Sequence, residues 1–359
     1  MQNKNKSIIL QNLKESSAEW TSGQGPLSDI VISSRIRLAR NVEGIPFPPR
    51  AEQAELKNIF DFSRQVIEEG SLFKDSNLLL LDELTPLENQ FLIEKHLISI
   101  YHAREKRSYR GCVFNQKETM SIMVNEEDHF RIQYLLPGLQ LNNIWKLINK
   151  IDDEIEKKVT YAFSEKEGYL TSCPTNVGTG MRASVMLHLP ALTMINGIND
   201  ILKAISKIGY IVRGFYGEGT EVMGNFYQVS NQITLGFSEE EIIDNLEKVN
   251  RQIISQEQKV RKDLLSNSKS QLEDQVWRAY GTLSSARIIS SAEAMELLSK
   301  LRFGVELGMI SHPDLGTLNK LMSLIQPAYL QMLAGKDLDS FSRDLQRAVL
   351  IRNKLVVSI

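Results

Sequence analysis

Cysteine is almost missing from this 359-residue chain, which holds only Cys112 and Cys173. Two such thiols exclude a disulfide framework, and their wide spacing excludes a zinc site built on paired cysteines. Long apolar runs are missing too. Nothing approaches the roughly 18 uninterrupted apolar residues of a bilayer span, and Ile8-Ile9-Leu10, in the polar, Lys/Asn-rich stretch up to Trp20, is too short for the apolar core of a secretion signal. An excess of charge is also lacking: 42 Lys and Arg against 44 Asp and Glu leave a net charge of −2. That balance argues against a dedicated nucleic-acid or membrane-surface protein. Neither the P-loop G-x-x-x-x-G-K-[ST] nor the H-R-D and D-F-G set of ordinary protein kinases occurs. What remains is a composition of 42% apolar and 24% charged residues, that of a globular cytoplasmic protein in a reducing compartment. The length suits about two domains.

Glycine divides the chain, since sixteen of 21 precede residue 240. Up to about residue 238, short strands alternate with helices. Thr119–Val124, Phe130–Leu135, Tyr210–Arg213 and Phe226–Val229 have the β-branched and aromatic content of strands. Helical periodicity appears near 51–69, 87–104, 139–158 and 192–208. Few of these strands are spaced for βαβ units, so the expected fold is α+β: a large, mostly antiparallel sheet flanked by helices. From Ser238, a candidate N-cap with Glu241 completing a capping box, the text turns helical, with segments near 268–285, 291–305, 312–334 and 337–355. Pro313 and Pro327 mark starts or kinks. The expected division is an N-terminal segment 1–27, a catalytic domain 28–238 and an all-helical C-terminal domain 239–359.

Two segments carry the chemistry. Cys173-Pro-Thr-Asn-Val-Gly178-Thr-Gly180-Met-Arg182 puts a thiol, two flexible glycines and a permanent cation together; a surface turn with one stray arginine is the plainer alternative. Asn125-Glu126-Glu127-Asp128-His129 crowds three carboxylates, so that one can rise in pKa and serve as a general base; a solvated turn would read the same. Arg131 follows closely. In Ser33-Ser34-Arg35-Ile36-Arg37 the alternation sends both guanidiniums to one face of a strand. Arg182 and Arg213 each stand at a glycine-rich junction. Five such arginines suit a triphosphate, whose oxygens the planar fork matches bidentately.

In order and spacing, Ser33–Arg40, Asn125–Arg131, Cys173–Arg182 and Arg213–Gly224 with Ser230-Asn231-Gln232 resemble the phosphagen (guanidino) kinases, the creatine and arginine kinases. The resemblance spans residues 28–240, and Cys-Pro-x-Asn-x-Gly-Thr-Gly-x-Arg is its most specific motif. It implies reversible phosphoryl transfer between Mg-ATP and a guanidinium nitrogen. It also implies Glu127 as base, Glu126 as the partner that orients the guanidinium, and Cys173 as a thiolate beside the acceptor. The ATP site it implies comprises Ser33, Ser34, Arg35, Ile36, Arg37, Arg131, Arg182, Ala183, Ser184, Val185, Met186, Arg213, Gly214, Phe215, Tyr216, Gly217 and Glu218. His96, in the helix-like Glu94-Lys95-His96-Leu97, aligns with a family histidine near the adenosine, a solvent-facing helix position being the competing reading. Magnesium is expected on phosphate oxygens and water, with no dedicated protein ligands.

Animal small-molecule guanidino kinases carry a helical domain before the Ser-Ser-Arg motif, where only 32 residues stand here. This chain instead has its helical extension at the other end, containing Arg343-Asp344-Leu345-Gln346-Arg347-Ala348. That arrangement resembles the bacterial protein-arginine kinases. It implies protein substrates with exposed arginines, and a phosphoarginine-binding regulatory pocket at Arg343, Asp344, Arg347 and Ala348. Further expectations are a heat-shock repressor, an activator protein and a Clp-type AAA+ protease as partners, in a stress response. Leu318, Leu321 and Met322 are candidates for a homodimer interface, core packing being the commoner use. The alternatives are a kinase for free arginine or a relative, and a non-catalytic phosphoarginine-binding adaptor.

Overall fold

The structure, a computed structural model, describes residues 2–214 and 223–355. In chain order its strands are β1 (Val31–Arg40), β2 (Ser76–Leu80), β3 (Gly111–Asn115), β4 (Met120–Val124), β5 (Phe130–Pro137), β6 (Phe163–Ser164), β7 (Gly168–Tyr169), β8 (Met181–His188), β9 (Tyr210–Arg213) and β10 (Phe226–Asn231). The helices are α1 (Gln2–Glu15), α2 (Gln53–Glu69), α3 (Pro86–Glu94), α4 (Ile100–Arg104), α5 (Leu141–Glu156), α6 (Pro190–Met194), α7 (Ile198–Lys207), α8 (Glu239–Asn267), α9 (Lys269–Ser285), α10 (Ser291–Glu306), α11 (Leu315–Leu324), α12 (Pro327–Ala334) and α13 (Ser340–Leu355). Eight strands form one sheet in the order β2-β3-β4-β5-β1-β8-β10-β9, and all its pairings are antiparallel. The expected α+β class is the one found.

The two faces of the sheet differ. Ile36, Leu38, Ile132, Val185 and Val229 point to one side, where Ile144, Ile148, Ile151 and Ile155 of α5 and Ile242, Ile243, Leu246, Ile253 and Ile254 of α8 cover them. Each such side chain stabilises the fold by roughly 1.5–3 kcal/mol when fully buried. Among the described residues, the other face is covered at its flanks alone. Met186, Leu135 and Phe226 join the C-terminal helices on one flank; Cys112, Phe114 and Met123 join α1, α3 and α12 on the other. Between the flanks lies a polar strip.

Ser238 accepts from the backbone of Glu241, and the reciprocal bond completes the expected capping box at α8. Three predicted helices are each interrupted. The 87–104 stretch breaks where His96 takes φ +59°, and Ser99 caps a new helix by accepting from His102 N. The 192–208 stretch breaks at Asn196, with φ +57°. The 312–334 stretch breaks where Pro327 opens α12. Leu318, Leu321 and Met322 are buried in the core of the C-terminal helices, which removes them from any dimer interface. No described helix is long and apolar enough to cross a membrane.

Candidate functional site

β1 supplies the first cations. Arg35 and Arg37 face the polar strip, where β-sheet register sets Arg37 opposite Arg182 of β8 and Gln133 of β5, and Arg35 opposite Ser184. Period-two alternation therefore places both guanidiniums as expected. Arg131 lies opposite Ala39 and Arg213 opposite Gln228, so the five arginines come from four strands, β1, β5, β8 and β9, to one surface. Burial, together with the charges of Arg131 and Arg213, lowers the Arg35 pKa to about 10. Burial and four neighbouring arginines push Arg37 well below its ordinary value. A bound polyanion would offset the charge repulsion on this surface.

Two adjoining cavities open on this strip. One is lined by Glu126, Glu127, Cys173, Thr175, Asn176 and Arg182, together with Arg37, Tyr101, Arg131 and Arg213. The second shares Arg37, Tyr101, Arg131 and Arg213 and continues past Arg35 to His96, Ile93, Ile98, Ile100 and Met123. One chamber is thus acidic at its far end and the other apolar, with the arginines at their junction.

The acidic loop is held from several sides. Asn125 takes φ +59°, and its Nδ2 donates to the carbonyls of Leu56 and Tyr109 at 2.8 Å each. Asp128 Oδ1 accepts from Asn41 Nδ2 and Ser172 N, both at 2.7 Å, which ties the loop to the cysteine segment. His129 Nδ1 accepts from Val42 N at 3.0 Å, leaving Nε2 to donate to Pro46 O at 3.1 Å; this histidine is structural. Glu126 is buried against Arg131, whose Nη1 donates to both carboxylate oxygens at 2.6 and 2.7 Å, and Ser99 Oγ donates as well. Burial alone would raise the Glu126 pKa, but Arg131 and these hydrogen bonds bring it down to about 2.

On the other wall, Arg182 Nε donates to Asn176 Oδ1 at 3.1 Å and Nη2 to Thr175 Oγ1 at 2.9 Å. Cys173 Sγ lies 3.1 Å from the same Thr175 hydroxyl. The glycines do what the sequence suggested: Gly178, at φ +111°, passes so close to Thr234 that a Cβ would stand 2.4 Å from its carbonyl oxygen.

Several sequence assignments change. Glu126, expected to orient a substrate guanidinium, is engaged by Arg131 of its own chain. His96 is neither helical nor solvent-facing; it lines the apolar chamber, and burial followed by the Arg35 charge lowers its pKa to about 3. The side chains of Ser34, Ile36, Ala183 and Val185 point into the core, so only their backbones border the strip. Even there, Ala183 N is taken by Asn231 Oδ1 at 2.8 Å. Ser33, Ser184 and Met186 lie on the strip side, beside Arg35 and His96. Gly214 directly follows β9, while Phe215, Tyr216, Gly217 and Glu218 fall outside the described residues. In α13, Arg347 is buried and donates to the carbonyls of Ile325 and Ile289 at 2.9 Å each and to Asp344; with buried Ala348 it buttresses the helix. Arg343 Nη1 donates to Leu338 O at 2.8 Å. Sequence reasoning passed over Ser99, whose only signal was its N-cap position, and Arg107, whose Nη2 donates to Glu126 O at 2.8 Å.

Comparison with known proteins accords with this geometry. Residues 59–260 match the family model of the ATP:guanido phosphotransferase C-terminal catalytic domain, and residues 269–358 match that of the protein-arginine kinase McsB C-terminal domain. The protein-arginine kinase of Halothermothrix orenii is 49% identical over 354 residues, covering 98% of this chain and 99% of that one. Among solved structures, lombricine kinase matches with TM-score 0.58 at 26% identity, over 68% of this chain and 71% of that one. The duplicated taurocyamine kinase of Schistosoma mansoni, with bound transition-state-analogue components, matches with TM-score 0.58 at 28% identity over 64% of this chain; this chain spans about a third (33%) of its length.

Proposed function

The chain belongs to the ATP:guanido phosphotransferase family, and from that premise we propose how its residues phosphorylate arginine side chains of proteins. It is a kinase, and near-full-length likeness to protein-arginine kinases together with the matching C-terminal domain makes protein arginine its acceptor. The observation that carries the mechanism is the meeting of Glu126, Glu127 and Cys173 with Arg37, Arg131, Arg182 and Arg213 around one cavity.

A substrate guanidinium is protonated at neutral pH and offers no free lone pair. In our reading it enters the acidic chamber, where Glu127 removes a proton from the attacking nitrogen as the N–P bond forms. The bond from the γ-phosphorus to the β-γ bridging oxygen breaks in the same displacement, and ADP departs. Glu126 is a poor base because its pKa lies near 2, and a useful base sits closer to the working pH. Its task is to fix Arg131 at the junction of the chambers. Arg35, Arg37, Arg131, Arg182 and Arg213 offset the charge on the transferring phosphoryl group, which is most of what such catalysis requires. Cys173 borders the acceptor, where a thiolate would complement the guanidinium charge. The arginine-lined junction beside two carboxylates suits Mg-ATP; magnesium would be carried on phosphate oxygens and water and would supply further charge neutralisation.

We extend the reading to cytoplasmic protein quality control: marked proteins, a heat-shock repressor among them, would pass to a Clp-type protease, with an activator protein assisting. Arg343 and Asp344 would sense phosphoarginine, a ligand that carries both signs of charge. The test is incubation with ATP, free arginine and an unfolded protein, followed by mass spectrometry for acid-labile phosphate on arginine. Phosphoarginine is expected on the protein, and Glu127→Ala is expected to abolish it. Transfer to free arginine alone would overturn the acceptor assignment, and full activity of Glu127→Ala would overturn the base.

A further inference from the structure

The N-terminal segment reaches the nucleotide chamber from behind. Trp20 lies in a short 3-10 turn, Glu19–Thr21, outside the residues that the catalytic-domain family model matches. It is only 4% exposed. Its indole meets the His96 ring edge-on, with centroids 5.1 Å apart and planes at 89°. Its other contacts belong to the core of the C-terminal helices, shared with Met295, Leu298, Leu318 and Leu321. The indole Nε1 is buried with no hydrogen-bond partner among the described residues.

Trp20, Ser33, Arg35, His96, Ser184 and Gln228 line a small cavity of about 20 Å³. Arg35 and His96 are also walls of the apolar chamber next to the arginine junction, so this cavity lies directly behind that chamber. It has room for about one water and no more. Trp20 therefore cannot stack on a base itself; whatever it does to a nucleotide passes through His96, Arg35 or one bridging water. The His96 backbone is already fixed. It takes φ +59°, and its carbonyl accepts from Gln133 Nε2 at 2.6 Å. The Trp20 edge then restrains the remaining freedom, the tilt of the ring.

We propose that Trp20 is a positioning residue of the nucleotide site: it sets His96 and Arg35 at the adenosine end of the chamber and joins that wall to the core of the C-terminal helices. The inference rests on the reading of these chambers as an ATP site. An aromatic edge is the chemistry required at this position, and neither Leu nor Ala supplies it. Because the indole stands away from the acidic chamber, it should act on nucleotide affinity and leave the acceptor alone.

Two measurements on the full chain test this. In protein carrying Trp145→Phe and Trp277→Phe, Trp20 is the sole indole fluorophore, since the chain has three tryptophans. Its emission should change on titration with Mg·AMP-PNP, saturating at a midpoint close to the KM for ATP. Separately, Trp20→Leu should raise the KM for ATP about tenfold, with kcat and the KM for a protein acceptor within twofold of wild type, while Trp20→Phe, which keeps the aromatic edge, should recover most of the loss. Nucleotide binding seen calorimetrically with silent Trp20 emission would overturn the proposal. So would a loss in Trp20→Leu shared equally by kcat and both KM values. Failure of the wild-type protein to bind Mg·AMP-PNP at all would instead overturn the ATP-site reading beneath it.

Discussion

Glu126→Gln is the most informative single change, because it separates the two neighbouring glutamates. Glu126 is 1% exposed and receives Arg131 and Ser99. Its pKa falls from 4.5 to about 2, and at about 1.4 kcal/mol per pH unit that shift is worth roughly 3 kcal/mol of stability. Gln keeps the shape but leaves Arg131 without its charge partner, and breaking a buried pair from one side costs about 3–5 kcal/mol. With a urea m-value of about 3 kcal/mol/M, the unfolding midpoint should fall by about 1 M. The sign with pH is fixed. A depressed carboxyl pKa gives stability that is present above pH 4.5 and lost as pH falls through about 2. The gap between wild type and variant should therefore be full at pH 7, about half as large at pH 3, and gone below pH 2. In the transfer assay Glu126→Gln should lower kcat by no more than about tenfold, against the roughly 10²–10⁴-fold expected for loss of a general base at Glu127. A gap unchanged between pH 7 and pH 3 would refute the electrostatic account, and equal kinetic losses at the two positions would refute the division of labour.

Glu94 titrates the opposite way. It accepts from the backbone of Ala328 and Tyr329 at the start of α12, yet burial outweighs those bonds and raises its pKa to about 7. Its contribution is therefore present below about pH 4.5 and lost as pH rises through 7, by up to roughly 3 kcal/mol; Glu94→Gln should gain on wild type in urea unfolding between pH 5 and pH 8, and parallel curves would sink the idea. Arg37→Gln should relieve the mutual repulsion of the strip, making the nucleotide-free protein more stable by about 1 kcal/mol, while calorimetry shows Mg·AMP-PNP binding weakened by about 10- to 100-fold. A less stable variant would show that Arg37 holds the fold.

Much of the sheet was legible because its signals are local. Period-two alternation placed Arg35 and Arg37 on one face, and the strands at 119–124, 130–135, 210–213 and 226–229 all appear. Strand order was not legible: β1 sits between β5 and β8, and nothing local announces that Arg37 will stand opposite Arg182. Helix interruptions were missed at His96 and Asn196 because an apolar periodicity of 3.6 continues across a residue that takes positive φ, a conformation His and Asn tolerate without advertising it. At the site, residue types were legible and allegiances were not. Glu126 and Glu127 are the same residue type, separated in the sequence by the family resemblance alone; in the structure Arg131 engages Glu126. Arg343 and Arg347 likewise look equivalent in the text, but four residues along one helix separates a side chain near the surface from one fixed on two buried carbonyls.

Arg40 supplies the control for reading the other arginines as functional. It lies on β1 three residues after Arg37, more deeply buried and on the opposite face. There Asp152 meets it at 2.7 Å, the carbonyls of Ala39 and Thr179 accept from it at 3.0 and 2.9 Å, and the Tyr169 ring lies 3.5 Å from the guanidinium carbon. Despite the burial its pKa is raised, by Asp152 above all. Arg35 and Arg37 have no ion pair among the described residues, and their neighbours are other arginines, so burial lowers them unopposed. One strand thus carries the same side chain in two electrostatic conditions, satisfied on the core face and frustrated on the polar one. Structural need accounts for Arg40 completely and for Arg37 not at all. In the proposed mechanism an external anion supplies the charge that Arg35 and Arg37 lack, at the junction between the acidic chamber and the apolar one.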